Sequence, residues 1–260
     1  ALTGHMMEEP TLNSQTAALG EAMRSYRSFK LPGIDMLCNR HEFTTAKQTQ
    51  SAVHQYGYEG MLSELYGVTG WDFDFRGHKF QGDWQACLGV TVRVPHLAWQ
   101  TMRGEGKRDY PASIFYQSPW YKEYRLIEDH FSRVHTAMTR GKACIRTAVI
   151  HPIESYWMLR CSNAESKQQR MEMEHRFKEL ADWLLTGSMD FDYLAESLLE
   201  DLCGADVETS LCTVDTRRQA AESCAQSFQE VRGGFKPQCL LQVGEMAYDT
   251  IIVADCLTIR

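Results

Sequence analysis

Short apolar segments alternate with helical patterns along the first 140 residues, and this alternation constrains the fold more than any other feature of the chain. Candidate strands lie at residues 2–7, 34–37, 60–64 and 91–94, and helical patterns lie at 12–29, 44–56, 76–88 and 120–139. Strands that alternate with helices through short links form parallel sheets. Four such units are half the number in an eight-unit barrel, so the pattern predicts an α/β fold of open or closed form.

A second α/β segment follows Gly141. Candidate strands lie at 145–150, 191–194, 238–243 and 250–253, with a charged helix over 165–185 and a polar, exposed helix over 213–231. We therefore expect two domains, 1–140 and 141–260, the second being Rossmann-like or flavodoxin-like. The fingerprint G-x-G-x-x-G is absent, so no dinucleotide site is expected. The role of residues 204–236 is left open.

Charge and cysteine content narrow the class of partner. The net charge of -7 gives no basic field for nucleic acid. No apolar run reaches the roughly 20 residues that span a bilayer. The nine cysteines are scattered without a C-x-x-C pair, which indicates a reducing, cytoplasmic compartment and gives no support for zinc. Because the chain lacks an initiator Met and both ends read as strands, we expect a fragment, for which secretion stays open.

The segment around Glu64 is the strongest chemical signal. This glutamate ends a candidate strand, and Tyr66 and Trp71 lie close behind it. A carboxylate at the carboxyl end of a strand can attack or stabilise a sugar cation, and flat aromatic rings stack on sugar faces. The alternative is a capping or ion-paired glutamate after an ordinary strand.

Three further polar positions lie in or just past candidate strands. Glu9 is a candidate for the second carboxyl that glycoside hydrolysis needs, although an acid here also favours the dipole of the next helix. Asp35 would hold a hydroxyl or fix a loop. His96, with Arg93 close by, would bind sugar hydroxyls or serve as a structural histidine. No nucleophile elbow, phosphate-binding loop or zinc-protease motif is present, so no metal and no cofactor are expected.

Several short motifs, taken in order, resemble large bacterial glycoside hydrolases. They are Leu2-Thr3-Gly4-His5 with Glu9, Pro32-Gly33-Ile34-Asp35, Ser63-Glu64-Leu65-Tyr66-Gly67, Gly82-Asp83-Trp84-Gln85, Val149-Ile150-His151-Pro152 and Val243-Gly244-Glu245-Met246. The chain is similar in them to the family 106 α-L-rhamnosidases and, more distantly, to the family 42 β-galactosidases of clan A. The resemblance implies the C-terminal half of a catalytic (β/α)8 barrel followed by a partial Rossmann-like domain.

The resemblance also implies roles for residues. Glu64 would end the seventh barrel strand as the principal catalytic carboxylate, and Glu9 would be the secondary candidate. The remaining substrate-binding candidates are His5, Asp35, Tyr66, Trp71 and His96. The acid/base of clan A follows the fourth strand, which this chain does not contain.

The expected function is therefore cleavage of a glycosidic bond, with a carbohydrate as partner and with neither nucleic acid nor membrane. A homo-oligomer formed through the second domain stays open. One alternative is a non-catalytic carbohydrate-binding protein on a degenerate barrel. Another is a different α/β-barrel enzyme, an isomerase or a lyase.

Overall fold

The chain has an α/β fold with parallel sheets. The computed structural model describes residues 2–37, 41–105, 111, 113–161, 165–203, 240–254 and 256–257. Its first sheet has four parallel strands, in the order β1 (Thr3–His5), β2 (Leu31–Leu37), β3 (Met61–Gly67) and β4 (Val90–Pro95). Strands β1 and β4 lie at the edges, and no barrel closes within the described part of the chain.

Five helices connect and follow these strands: α1 (Leu12–Ala18), α2 (Ala22–Tyr26), α3 (Phe43–Tyr56), α4 (Phe75–Cys87) and α5 (Arg125–Met138). The prediction of one helix over 12–29 was wrong. Gly20 takes a left-handed conformation with φ 84, and the Glu21 side chain accepts hydrogen bonds from the next helix's first free N–H groups. The chain therefore stops and restarts here. The last helix also begins at Arg125, after a 3-10 turn, rather than at 120.

The two faces of the first sheet have different surroundings. Ile34, Met36 and Met61 are buried beneath α3 and α4. Side chains alternate between faces along a strand, so Glu64 and its register partners Asp35 and Val94 lie on the opposite face. Exposed fractions of 37% at Val92 and 42% at Val94 show that this second face is uncovered in the described structure.

A second parallel sheet has the order β6-β5-β9. Its strands are β5 (Thr147–Ile150), β6 (Asp192–Leu194) and β9 (Thr250–Ile252), its helices are α6 (Ile153–Met158), α7 (Lys167–Thr186) and α8 (Glu196–Cys203), and a hairpin pairs β7 (Leu241–Val243) with β8 (Met246–Tyr248). The helix expected over 213–231 lies outside the described residues. Among the described helices, none has the length and apolarity needed to span a bilayer.

Helix α3 packs between the two sheets, although most of its residues are polar. Its buried side chains satisfy neighbouring backbone groups. Gln48 Nε2 donates to the carbonyl of Glu9, and Gln55 Nε2 donates to the carbonyl of Tyr193. Burial without such partners would cost free energy. The largest apolar cluster also joins residues from both halves of the chain, and the boundary at 141 stays a prediction.

Candidate active site at the carboxyl edge of the first sheet

Four polar side chains from four neighbouring strands meet on the uncovered face. His5 ends β1, Asp35 and Glu64 are register partners in β2 and β3, and His96 follows β4. His5 Nε2 lies 3.2 Å from Glu64 Oε2, and His96 Nε2 lies 3.8 Å from Glu64 Oε1. Glu64 lies within β3, and not at its end as predicted, because that strand continues to Gly67. The carboxylate is therefore held by a paired strand.

Close packing of the strands depends on a glycine in β2. A Cβ atom on Gly33 would lie 2.7 Å from the carbonyl oxygen of Gly4 and 2.9 Å from the Leu62 side chain. Neither distance is tolerated without a shift of β1 or of the Leu62 side chain. Gly33 thereby allows β1 to carry His5 towards Glu64.

His5 is a hydrogen-bond donor at both ring nitrogens when it is protonated. Its Nδ1 lies 2.9 Å from the carbonyl oxygen of Met6, and its Nε2 faces the carboxylate of Glu64. Burial opposes the charged ring, but the backbone hydrogen bond to Met6 and the charges of Asp35 and Glu64 outweigh it. The pKa of His5 is therefore raised, which favours the imidazolium.

The two other acids of this region hold their protons more strongly than usual. Burial, followed by the charge of Glu64, raises the pKa of Asp35. Burial also raises the pKa of Glu9 to about 7. A 3.2 Å hydrogen bond from Tyr26 Oη to the Glu9 carboxylate opposes this rise, because it favours the charged form. Asp35 and His5 both act electrostatically on Glu9. The region therefore contains carboxyl groups of differing proton affinity.

Glu9 lies behind the cluster rather than in it, with an exposed fraction of 2%. Its carbonyl oxygen accepts hydrogen bonds from Gln15 Nε2 at 2.7 Å and Gln48 Nε2 at 3.1 Å. These contacts fix the segment that leaves β1. Its electrostatic partners His5 and Asp35 connect it to Glu64.

The raised pKa of Glu9 predicts a pH-dependent effect of Glu9→Gln. The buried site favours the protonated form of Glu9. The resulting stabilisation is fully present below the pKa of the unfolded chain, and it is lost as the pH rises through the folded-state pKa of about 7. Gln does not titrate. The difference in free energy of unfolding, Glu9→Gln minus wild type, should therefore increase by about 2–3 kcal/mol from pH 5 to pH 8, because only wild type loses stability over this range.

Denaturant unfolding of both proteins at the two pH values measures this difference. The exposed neighbour Glu8 supplies the matched control, Glu8→Gln, whose free energy of unfolding should stay within about 0.5 kcal/mol of wild type, as is usual for surface substitutions. A pH-independent difference for Glu9→Gln would mean that Glu9 is not a titrating buried acid.

The aromatic candidates lie beside this cluster in two different environments. Trp71 is 40% exposed and, with Tyr66 and His96, lines a cavity of about 10 Å³, the size of one water molecule. Tyr66 is buried, and its hydroxyl accepts a 2.7 Å hydrogen bond from Arg93 Nη2. Arg93, considered from sequence as a sugar ligand, instead lies on the covered face, 3.9 Å from the Phe131 ring centroid.

The backbone is strained at the end of β3, where it turns away from Glu64. Tyr66 and Val68 have φ values of 74 and 58, in the left-handed region. A β-branched residue is rarely found there, because its Cβ crowds the following carbonyl. Such strain concentrates at functional sites.

Val68→Gly should relieve part of this strain. Because Val68 is partly exposed, little packing is lost, and relief of roughly 1–2 kcal/mol outweighs about 0.5–1 kcal/mol of added chain entropy. We expect the free energy of unfolding to rise by about 0.5–1 kcal/mol. Val92→Gly, within strand β4, should lower it by a similar amount. A loss in both variants would contradict strain at Val68.

The same cluster has the donors for a metal ion. One ligand atom from each of His5, Asp35 and Glu64 lies within 4.8 Å of the other two. One imidazole nitrogen with two carboxylate oxygens suits a transition metal better than calcium, which takes six to eight oxygens. The sequence has no metal-binding spacing because the three residues come from three strands.

Comparisons with known proteins add little to this geometry. No protein-family model matches the chain, and no curated protein matches it. Among solved structures, a rhamnosidase from Novosphingobium sp. PP1Y matches with a TM-score of 0.49 and 15% identity, over 71% of this chain and 17% of that chain. A likeness this low assigns neither a family nor an activity by itself.

Proposed function

We propose that the chain carries the catalytic carboxyl groups of a glycoside hydrolase, with Glu64 as the principal one. The observation that carries this proposal is a carboxyl pair on the uncovered sheet face. One oxygen of Asp35 and one of Glu64 lie within 4.8 Å, with His5 and His96 beside Glu64. Glycosidic cleavage needs one carboxyl that donates a proton and one that bears charge opposite the sugar cation.

The raised pKa of Asp35 assigns the two roles. It suits the proton donor, which leaves Glu64, with His5 at 3.2 Å, as the carboxyl group opposite the sugar cation. Their short separation is nearer to the roughly 5 Å of retaining enzymes than to the 6.5–9.5 Å that leaves room for a water. We infer a retaining reaction in which Glu64 attacks the anomeric carbon.

The other candidates take supporting roles in this proposal. Glu9 is too buried to touch a substrate and acts as a positioning residue through His5 and Asp35. Trp71 offers a half-exposed ring for a sugar face, and His96 offers a hydrogen bond to a hydroxyl. The sequence motifs support an α-L-rhamnoside as the first substrate to test.

The finer fold is part of the same proposal. All-parallel sheets occur almost only where both faces are covered. The exposed valines of β4 and the open edges at β1 and β4 therefore support half of a (β/α)8 barrel, whose interior the uncovered face would line. The second parallel sheet would then be a partial Rossmann-like domain.

An assay of the full-length product of the gene that encodes this chain tests the activity. We expect release of nitrophenol from a p-nitrophenyl glycoside, with α-L-rhamnoside as the first member of the panel. Proton NMR of the first sugar product should show the anomer of the substrate. Absence of hydrolysis across the panel would contradict the proposal, and the inverted anomer would contradict the retaining mechanism.

The ligand set of His5, Asp35 and Glu64 favours a second candidate, a metal-dependent isomerase or lyase. Calorimetric titration with Zn²⁺ or Mn²⁺ alone separates it from the first. A metal-dependent enzyme should bind the ion with a stoichiometry of one and lose activity in a chelator. A glycosidase that uses only carboxyl groups should keep its activity there.

A further inference from the structure

A large groove lies at the opposite end of the first sheet from Glu64. It has a volume of about 740 Å³, within the range of small-molecule sites, and Gly60 and Gly89, which precede β3 and β4, are among its lining residues. The C-terminal ends of α3, α4 and α5 form one wall, and Asp190, Glu245 and Met246 of the second α/β segment form another. Grooves between two such layers are frequent binding sites.

A buried carboxylate orients one histidine of this groove. His54 Nδ1 lies 2.9 Å from Asp192 Oδ1, and Asp192 is fully buried. The other oxygen of Asp192 accepts a 2.9 Å hydrogen bond from Tyr248 Oη. Because Nδ1 faces Asp192, Nε2 is the ring nitrogen of His54 that can meet a ligand hydroxyl.

Aromatic rings and balanced charges complete the lining. The rings of Tyr56 and Tyr58 stack at 5.4 Å with planes 11° apart. The groove is lined by two cations, Arg140 and Lys142, and by two exposed carboxylates, Glu59 and Glu245. The third carboxylate, Asp190, is paired with the buried Lys47.

The charge balance indicates an uncharged ligand, because an anion would meet Glu59 and Glu245 as well as the cations. A flat ring beside hydrogen-bond donors and acceptors matches a sugar, which has a C–H face and a rim of hydroxyls. We propose that this groove is a second carbohydrate-binding site, for a neutral sugar, in which Tyr58 contacts the sugar face and His54 and Arg140 bind hydroxyls. It is separate from Glu64, so its test does not require turnover.

Two thiols permit a local test. Cys87 and Cys144 are exposed and line the groove, whereas Cys256 is partly buried and is not among its lining residues. We would measure by peptide mass spectrometry the rate at which iodoacetamide alkylates each thiol in the full-length gene product carrying Glu64→Gln. The neutral probes are methyl α-L-rhamnoside and methyl β-D-galactoside at up to about 50 mM, and the anionic probe is inorganic phosphate.

At least one neutral probe should slow alkylation of Cys144 severalfold and leave Cys256 unchanged. Tyr58→Ala and Arg140→Ala should each weaken the protection about tenfold, while Arg103→Ala, in a separate exposed loop, should not. Protection by phosphate alone, protection that survives both groove variants, or absence of protection by either sugar would overturn the proposal. None of these results depends on hydrolysis. Failure of the groove proposal can therefore be distinguished from failure of the glycosidase proposal.

Discussion

Replacing Glu64 with Gln is expected to lower turnover of the best aryl glycoside by about three orders of magnitude or more. The amide has nearly the same size as the carboxyl group and keeps one hydrogen-bond acceptor, but it cannot bear the charge that attacks or stabilises the sugar cation. The variant also loses the pairing with His5, at 3.2 Å. Because both partners are partly exposed, that loss should cost only about 0–1 kcal/mol of stability.

The measurements are steady-state kinetics and thermal unfolding of the full-length gene product, each with a matched control. Glu179 also pairs with a histidine, His175 at 3.7 Å, and lies on α7 outside the cluster. Glu179→Gln should therefore leave turnover unchanged while perturbing stability by a similar small amount. Turnover by Glu64→Gln within tenfold of wild type would remove Glu64 from the mechanism.

The same variant separates catalysis from binding alone. In a non-catalytic carbohydrate-binding protein, wild type would show no turnover, and Glu64→Gln would change only the affinity for a sugar. In a metal-dependent enzyme, the variant would also lose a ligand of the group formed with His5 and Asp35. Calorimetry with the ion alone would then show weaker metal binding, which the glycosidase proposal does not predict.

Local sequence patterns predicted the strands of the first sheet and the end of α3 at residue 56, which Gly57 follows with a left-handed φ of 66. They also predicted that Asp35 and Glu64 share a sheet edge, because carboxyl ends of parallel strands lie together. They did not show how closely His5 approaches Glu64. That distance depends on strand register and on the absence of a side chain at Gly33.

The break between α1 and α2 and the face on which Arg93 lies could have been read from the local sequence, whereas the His54–Asp192 pair could not. Gly20 followed by Glu21 marks a helix stop and a new cap, but the apolar spacing on both sides continued through it. Arg93 lies between two exposed valines, so alternation along β4 already directs it to the covered face. His54 and Asp192 are 138 residues apart, and no local pattern joins them.

Helix α3 shows why periodicity does not reveal burial. Its polar residues suggest an exposed helix, yet the chain packs it between two sheets and satisfies its side chains with backbone carbonyls. The extreme case is Lys47, whose side chain has no solvent exposure. Its ammonium lies 2.7 Å from Asp190 Oδ1, 5.0 Å from the Phe191 ring centroid and within hydrogen-bond distance of Gln50.

The Lys47–Asp190 ion pair should lose very different amounts of stability depending on which of its two charges is removed. The Asp190 side chain is 51% exposed, so water can solvate it when Lys47 is replaced. Lys47→Met keeps the apolar stem and removes a buried charge, and its free energy of unfolding should lie within about 1 kcal/mol of wild type. Asp190→Asn keeps the hydrogen bond to the N–H of Phe191 but leaves the ammonium without a counter-charge. We expect it to lose about 3 kcal/mol.

The double variant completes the test. Once Lys47→Met has removed the ammonium, Asp190→Asn no longer leaves a buried charge unpaired. The double variant should therefore unfold at nearly the same denaturant concentration as Lys47→Met alone. The coupling energy from the cycle should then be about 2–3 kcal/mol, well above the sub-kilocalorie value of an exposed pair. Equal losses in the two single variants would contradict the asymmetry, because they would mean that the pair contributes through mutual attraction rather than through the cost of burying Lys47.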